Sequence, residues 1–128
     1  MLVKVFFDII TNHTADVIRY KECHGDGEIV FSDGKQMCDY KSLAQVDSGD
    51  KYTPFVPAGS DNIKVPAWLN DPKYYHNQGD SDWTGESALN GDFVGLDDLN
   101  TEMPEVVEGM IDIYKDIVTN FRPDGFRV

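Results

Sequence analysis

The chain has 128 residues, with 23 acidic against 11 basic side chains and a formal net charge of −12. That balance argues against a nucleic-acid partner, whose phosphates require clustered Lys and Arg. No apolar run approaches the roughly 20 residues of a membrane span, no signal peptide is visible, and the length allows one modest core.

Residues 3–13 open the chain with Val3, Val5, Phe6, Phe7, Ile9 and Ile10. This β-branched and aromatic run has little polar alternation, so it predicts a strand covered on both faces, as in parallel sheets. It ends abruptly in Thr11-Asn12-His13-Thr14. Ligands collect at the carboxyl ends of parallel strands, so chemistry is expected at this polar tip. The start at Met1 falls almost directly on the strand, and Val128 falls within another; both ends read as cuts in a longer sequence.

Ala15-Asp16-Val17-Ile18 is read as a helical turn. Gly and Pro then recur to about Asp92, which marks turns rather than long elements. Short strands are predicted at residues 28–31 and at Tyr52-Thr53. About 80 residues of structureless loop would be implausible in a compact domain. Phe31, Tyr40, Tyr52, Phe55, Trp68, Tyr74, Tyr75, Trp83 and Phe93 instead imply an irregular inserted unit that packs on itself.

From Pro104 to Phe121 the apolar spacing becomes helical, through Val107, Met110, Ile111, Tyr114, Ile117, Val118 and Phe121. Pro104 suits the first turn, Thr101 is the expected cap, and Pro123 stops the helix. At 1.5 Å per residue this helix is about 27 Å long, enough to return along a strand. Gly125 then begins the next strand, completing one βαβ crossover.

Three motifs carry a family resemblance. Asp8-x-x-x-Asn12-His13 resembles the first signature region of the α-amylase family, glycoside hydrolase family 13. Gly95-Leu96-Asp97-Asp98-Leu99-Asn100 is similar to that family's domain-B signature, and Asp124-Gly125-Phe126-Arg127-Val128 resembles the start of its second region. The three occur in the family's order. The resemblance implies an α/β fold, part of a (β/α)8 TIM barrel. Residues 1–13 would be the third barrel strand and its signature loop, 14–94 an inserted domain B, and 95–128 the third helix and the start of the fourth strand. A complete barrel takes about 250 residues, so the chain can carry only a part of one.

The implied activity is retaining hydrolysis of α-1,4-glucosidic bonds in starch or maltooligosaccharides. Such chemistry uses a nucleophile and a general acid/base carboxylate about 5–5.5 Å apart. In the family the nucleophile follows the second region and the other catalytic carboxylates lie downstream, so this stretch alone is expected to be inactive. Side chains alternate along a strand, which places an Asp nucleophile, pointing with Arg127, directly after Val128.

By the same resemblance, Asn12 and Asp98 would be calcium ligands. The remaining oxygens would come from backbone, water or residues outside the chain, with Glu86 and Asp92 as unassigned nearby acids. His13 would bind the sugar beside the broken bond, Asp8 would brace the strand end, and Arg127 would orient the nucleophile. A buried strand seldom accepts Arg without a fixed anion; the alternative is an edge-strand Arg facing water. Asn12-His13-Thr14 also matches the N-glycosylation sequon, but a glycan there would block both proposed roles.

Trp68, Tyr74, Tyr75, His76 and Trp83 offer faces for glucose stacking or the core of a small irregular unit. Cys23 and Cys38 are either two thiols in a reducing compartment or a disulfide closing about 15 residues, worth roughly 3 kcal/mol in the chain-entropy model. Because the family is often exported, the resemblance favours the disulfide and an extracellular or periplasmic location. The expected partner is an α-glucan, with neither nucleic acid nor membrane. Two other classes remain open from the residues: a non-catalytic α-glucan- or calcium-binding module, and an unrelated α/β hydrolase with a metal at the strand ends.

Overall fold

A computed structural model describes residues 2–25 and 37–128; the strand expected at residues 28–31 lies outside them. The elements run β1 (Phe6–Asp8), β2 (His13–Thr14), β3 (Arg19–Tyr20), α1 (Lys21–His24), α2 (Leu43–Asp47), β4 (Pro54–Phe55), α3 (Ser87–Asn90), β5 (Asp97–Asp98), α4 (Pro104–Phe121) and β6 (Gly125–Arg127). Single 3-10 turns occupy Ala67–Asn70 and Pro72–Tyr74. The structure is mixed α/β, and among the described residues no helix is long and apolar enough to cross a membrane.

The helix α4 has the bounds its periodicity implies. Its N-terminal end differs from expectation: Met103 holds the cap position and no side chain caps it, Thr101 included. Pro104 carries no N–H, so one of the unpaired donors of the first turn does not exist. At the other end Arg122 turns left-handed (φ 47°), its N–H bonds Val118 O, and Pro123 prevents continuation.

The chain returns along β1. Strands β1 and β6 pair in parallel, with Phe6 opposite Gly125, Phe7 opposite Phe126 and Asp8 opposite Arg127. Backbone bonds Asp124 N to Val5 O and Ile9 N to Arg127 O, each 2.8 Å, extend the pairing at both ends. A Cβ on Gly125 would lie 2.7 Å from the Phe6 ring, so the strands approach this closely because position 125 has no side chain.

Within this chain residues 3–10 are covered on one face only. Phe6 is 60% exposed, and Val3, Val5 and Ile10 are exposed as well. Helix α4 covers one side, through Phe7 against Phe121 (6.2 Å between ring centroids), Tyr114 against Phe126 (5.5 Å), and Tyr114 OH donating to Ile10 O at 2.7 Å. No described residue forms a layer on the other face. A parallel strand needs both.

The core lies instead in the irregular segment. Ile18, Tyr20, Cys38, Tyr52, Leu69, Tyr75 and Leu99 bury together with Val106 from the first turns of α4. Trp68 joins this cluster to the helix at Gly109, where a Cβ would meet the indole at 2.5 Å. Residues 15–18 are not the helical turn expected. The N–H groups of Val17 and Ile18 donate to the Asp97 carboxylate instead of to a carbonyl within a turn. The predicted strand at Tyr52-Thr53 forms two residues later, as β4 antiparallel to β3, with Lys21 N bonding Thr53 O at 3.0 Å. Cys23 and Cys38 form a disulfide with Cα atoms 5.9 Å apart.

Before β5 the chain reverses in a two-residue hairpin, where Phe93 and Leu96 exchange backbone bonds of 3.1 and 3.0 Å. Val94 (φ 52°) and Gly95 (φ 85°) are both left-handed, as the hairpin turn requires. A β-branched residue there is strained, and Val94 is exposed, so burial does not offset the strain. Val94→Asn is expected to raise the unfolding free energy by about 1 kcal/mol, read from the urea midpoint. A lowered midpoint would show that the Val94 side chain makes a stabilising contact.

Candidate functional site

The polar tip after β1 is organised by the antiparallel ladder of β2 with β5. His13 stands opposite Asp98, Thr14 stands opposite Asp97, and Leu99 N donates to Asn12 O at 2.9 Å. Two stretches far apart in the chain, each singled out by its residues, are therefore brought side by side. Asn12 Oδ1 lies 2.9 Å from His13 Nδ1. The His13 ring stacks on Phe93 with centroids 5.0 Å apart and planes 6° from parallel, and Trp83 stands perpendicular to Phe93 at 4.8 Å.

Asp98 is buried, and its Oδ2 bonds His76 Nδ1 at 2.6 Å. His76 Nε2 reaches Glu102 Oε2 at 2.8 Å, so the imidazole is clamped between two carboxylates. Burial works to lower the His76 pKa. The hydrogen bonds and charges of Asp98 and Glu102 outweigh it and leave the pKa raised. For Asp98, burial pushes the pKa up against the pull of His76.

The adjacent Asp97 turns the opposite way along the strand. It accepts Val17 N and Ile18 N at 3.0 Å and Lys64 Nζ at 2.6 Å. Lys64 also reaches Tyr75 OH at 3.3 Å and lies 4.5 Å over the Tyr75 ring. Burial dominates on both partners, lowering the Lys64 pKa and raising that of Asp97.

Asp92 stands beside this pair. Its Oδ2 accepts Tyr20 OH at 2.6 Å and its Oδ1 accepts Asp98 N at 3.1 Å. Burial, opposed by the Tyr20 bond and reinforced by the charge of Asp97, pushes its carboxyl up to about 7. Of the two acids left unassigned by sequence, Asp92 is the one at this site. Glu86 is occupied elsewhere, accepting Tyr40 OH and Leu43 N.

Asp80, paired with Asp92 by a parallel bridge, is a further buried carboxylate. Its Oδ1 and the Asn100 Oδ1, two residues beyond Asp98, are buried with no hydrogen-bond partner among the described residues. Carboxylate and amide oxygens are the donors that hard divalent cations take, but among the described residues no three acidic side chains bring their oxygens within 4.8 Å of one another. Cys23, His24 and Cys38 do cluster at that distance. Their sulfurs are joined in the disulfide, so this group offers no thiolate.

Arg127 stands opposite Asp8 across the β1–β6 register, with Nη1 3.4 Å from Asp8 Oδ2. The expected burial of this guanidinium is not found: the Arg127 and Asp8 side chains are 80% and 70% exposed. The strand face that would enclose them carries no second layer among the described residues. An exposed pair at this distance contributes little to stability.

The aromatic set divides. Trp68 and Tyr74 pack edge to face against the core, Tyr75 is buried with its OH on Leu69 O, and His76 is held in the clamp. Trp83 remains exposed. Sequence reasoning did not single out Lys64, which sits in no recognisable pattern. It also did not single out Phe93 for this site, although Phe93 lies two residues before the Gly95 motif.

The family model described as alpha amylase, catalytic domain, matches residues 2–128. An α-amylase of Streptomyces lividans is 52% identical over 139 aligned residues, which cover 98% of this chain and 15% of that protein. The chain thus spans about 15% of the length of the curated relative it matches. No solved structure matches it significantly.

Proposed function

The chain belongs to the α-amylase family, whose catalytic domain has a TIM-barrel-type fold, and from that premise we propose that it is the sugar- and calcium-binding part of a retaining α-glucan hydrolase. In this reading β1 is the third barrel strand, the irregular segment is domain B, and α4 with β6 leads into the fourth strand. The observation that carries it is the β2–β5 ladder, which sets Asn12 and His13 against Asp98 at the carboxyl end of a parallel strand. Barrel chemistry is located at that end.

The substrate is an α-1,4-glucan such as starch or a maltooligosaccharide. His13 holds a sugar hydroxyl next to the bond that breaks. Arg127, with its planar fork of donors, orients the carboxylate nucleophile, and Asp8 braces the strand end. The catalytic carboxylates themselves belong to other parts of the enzyme.

Asn12 and Asp98 would hold a structural calcium, with the remaining oxygens from backbone, water or residues outside the chain. When bound, the ion would offset the carboxylate repulsion around β5 and tie the irregular segment to the barrel strand. In the full-length enzyme, removing calcium from a concentration a hundredfold above its Kd should cost about 2.7 kcal/mol. Chelation is therefore expected to lower the melting temperature, and Asp98→Ala to remove most of that sensitivity. A variant that keeps the full chelator effect would refute the ligand assignment.

A further inference from the structure

The two sulfurs of the Cys23–Cys38 disulfide stand in different surroundings. Cys38 is 2% exposed, and its backbone is tied to Asp80 in both directions: Cys38 N donates to Asp80 Oδ2 at 2.6 Å, and Asp80 N donates to Cys38 O at 2.8 Å. Cys23 lies in the short helix α1 and is only half-buried. A group arriving from solvent meets Cys23 first.

His24 lies against the other sulfur, with Nε2 3.2 Å from Cys38 Sγ. Tyr20 N donates to His24 Nδ1 at 2.9 Å, and a backbone N–H can only donate. Nδ1 is therefore the unprotonated nitrogen, and the ring carries its hydrogen on Nε2, facing Cys38. The ring also stacks on Tyr20, with centroids 5.8 Å apart, and Tyr20 is anchored on Asp92. A disulfide sulfur is a weak acceptor and gains little from such a donor. The contact becomes strong only when that sulfur carries negative charge.

A metal ion is not what this arrangement awaits. Nε2 could bind a cation only by passing its proton to Nδ1, which faces the Tyr20 N–H. Thiol–disulfide exchange has the matching demand. One sulfur is attacked by a thiolate while the other leaves as a thiolate, and the rate rises with access to the first and stabilisation of the second.

We propose that Cys23–Cys38 is a site of polarised thiol exchange, at which a low-molecular-weight thiol attacks Cys23 and Cys38 leaves as a thiolate held by His24 Nε2–H. The incoming thiolate forms a bond to Cys23 Sγ, the Cys23–Cys38 bond breaks, and its electron pair stays on Cys38 Sγ. A second thiol then displaces Cys23 from the mixed disulfide, so two thiols supply the two electrons and leave as their own disulfide. His24 is a positioning and stabilising residue for this step. The site is separate from the residues read above as contacts for sugar and calcium.

The test treats the folded full-length protein with reduced glutathione, quenches early with excess N-ethylmaleimide and locates the adducts by peptide mass spectrometry. Tryptic cleavage after Lys21, Lys35 and Lys41 puts the two cysteines on different peptides. Glutathione should be found on Cys23 about tenfold more often than on Cys38, with N-ethylmaleimide on Cys38. His24→Phe keeps the ring but has no donor, and should slow opening about tenfold in the folded protein and not at all in urea. His24→Gln, whose amide returns an N–H near Cys38, should restore most of the rate; both variants lose the acceptor for Tyr20 N, so that loss cancels. Glutathione equally on both cysteines or mainly on Cys38, or a rate within twofold of wild type in His24→Phe, would overturn the proposal. So would adducts that form only once the protein is unfolded.

Discussion

Lys64→Met is expected to lower the unfolding free energy by about 3 kcal/mol or more, the range for breaking one half of a buried ion pair. Lys64 Nζ lies 2.6 Å from Asp97 Oδ2, and the two side chains are 5% and 2% exposed. Burial moves both pKa values against the charged forms and so opposes the attraction within the pair. Methionine keeps the apolar stem but leaves Asp97 as an uncompensated buried charge beside Asp92. Val17 N and Ile18 N still bond that carboxylate, which limits the loss without neutralising it. The double variant Lys64→Met/Asp97→Asn should regain more than half of the deficit, because Asn keeps an acceptor for those two N–H groups and removes the charge. Urea unfolding of the three proteins decides the matter. A single-variant loss below about 1 kcal/mol would show that the pair does not support this part of the fold.

His13→Ala is expected to lower kcat/KM on maltooligosaccharides about a hundredfold in the active enzyme, the usual effect of removing one preorganised hydrogen-bonding group from a reacting centre. The ring is held from several sides: by Asn12 Oδ1 on Nδ1, by the Phe93 face, and by the pairing of β2 with Asp98. In the proposed reading Nδ1 faces Asn12 Oδ1, which leaves Nε2 for a sugar hydroxyl. Most of the loss should fall on kcat, as for a contact made chiefly in the transition state. Phe93→Leu, which leaves the ring present but unsupported, should cost less than His13→Ala. A loss under tenfold in His13→Ala would remove His13 from the reacting centre.

Sequence alone determined the features that repeat locally or are written as motifs. The apolar steps from Val107 to Phe121 define α4 because a helix places every third or fourth residue on one face, whatever surrounds it. The strands flanking that helix implied a parallel pair, and β1 and β6 form one. The order of the three signatures implied the family. Tertiary structure alone decided which side chains meet in the irregular segment. The residues joining Lys64 to Asp97, His76 to Asp98 and Glu102, and Tyr20 to Asp92 carry no period, because their contacts depend on how turns close over distance. Burial was illegible for a related reason. The run at residues 3–10 is apolar enough for a strand covered on both faces, yet a strand's composition does not supply the second layer. Phe6 and Arg127 therefore stand exposed in a chain that spans about 15% of its relative's length.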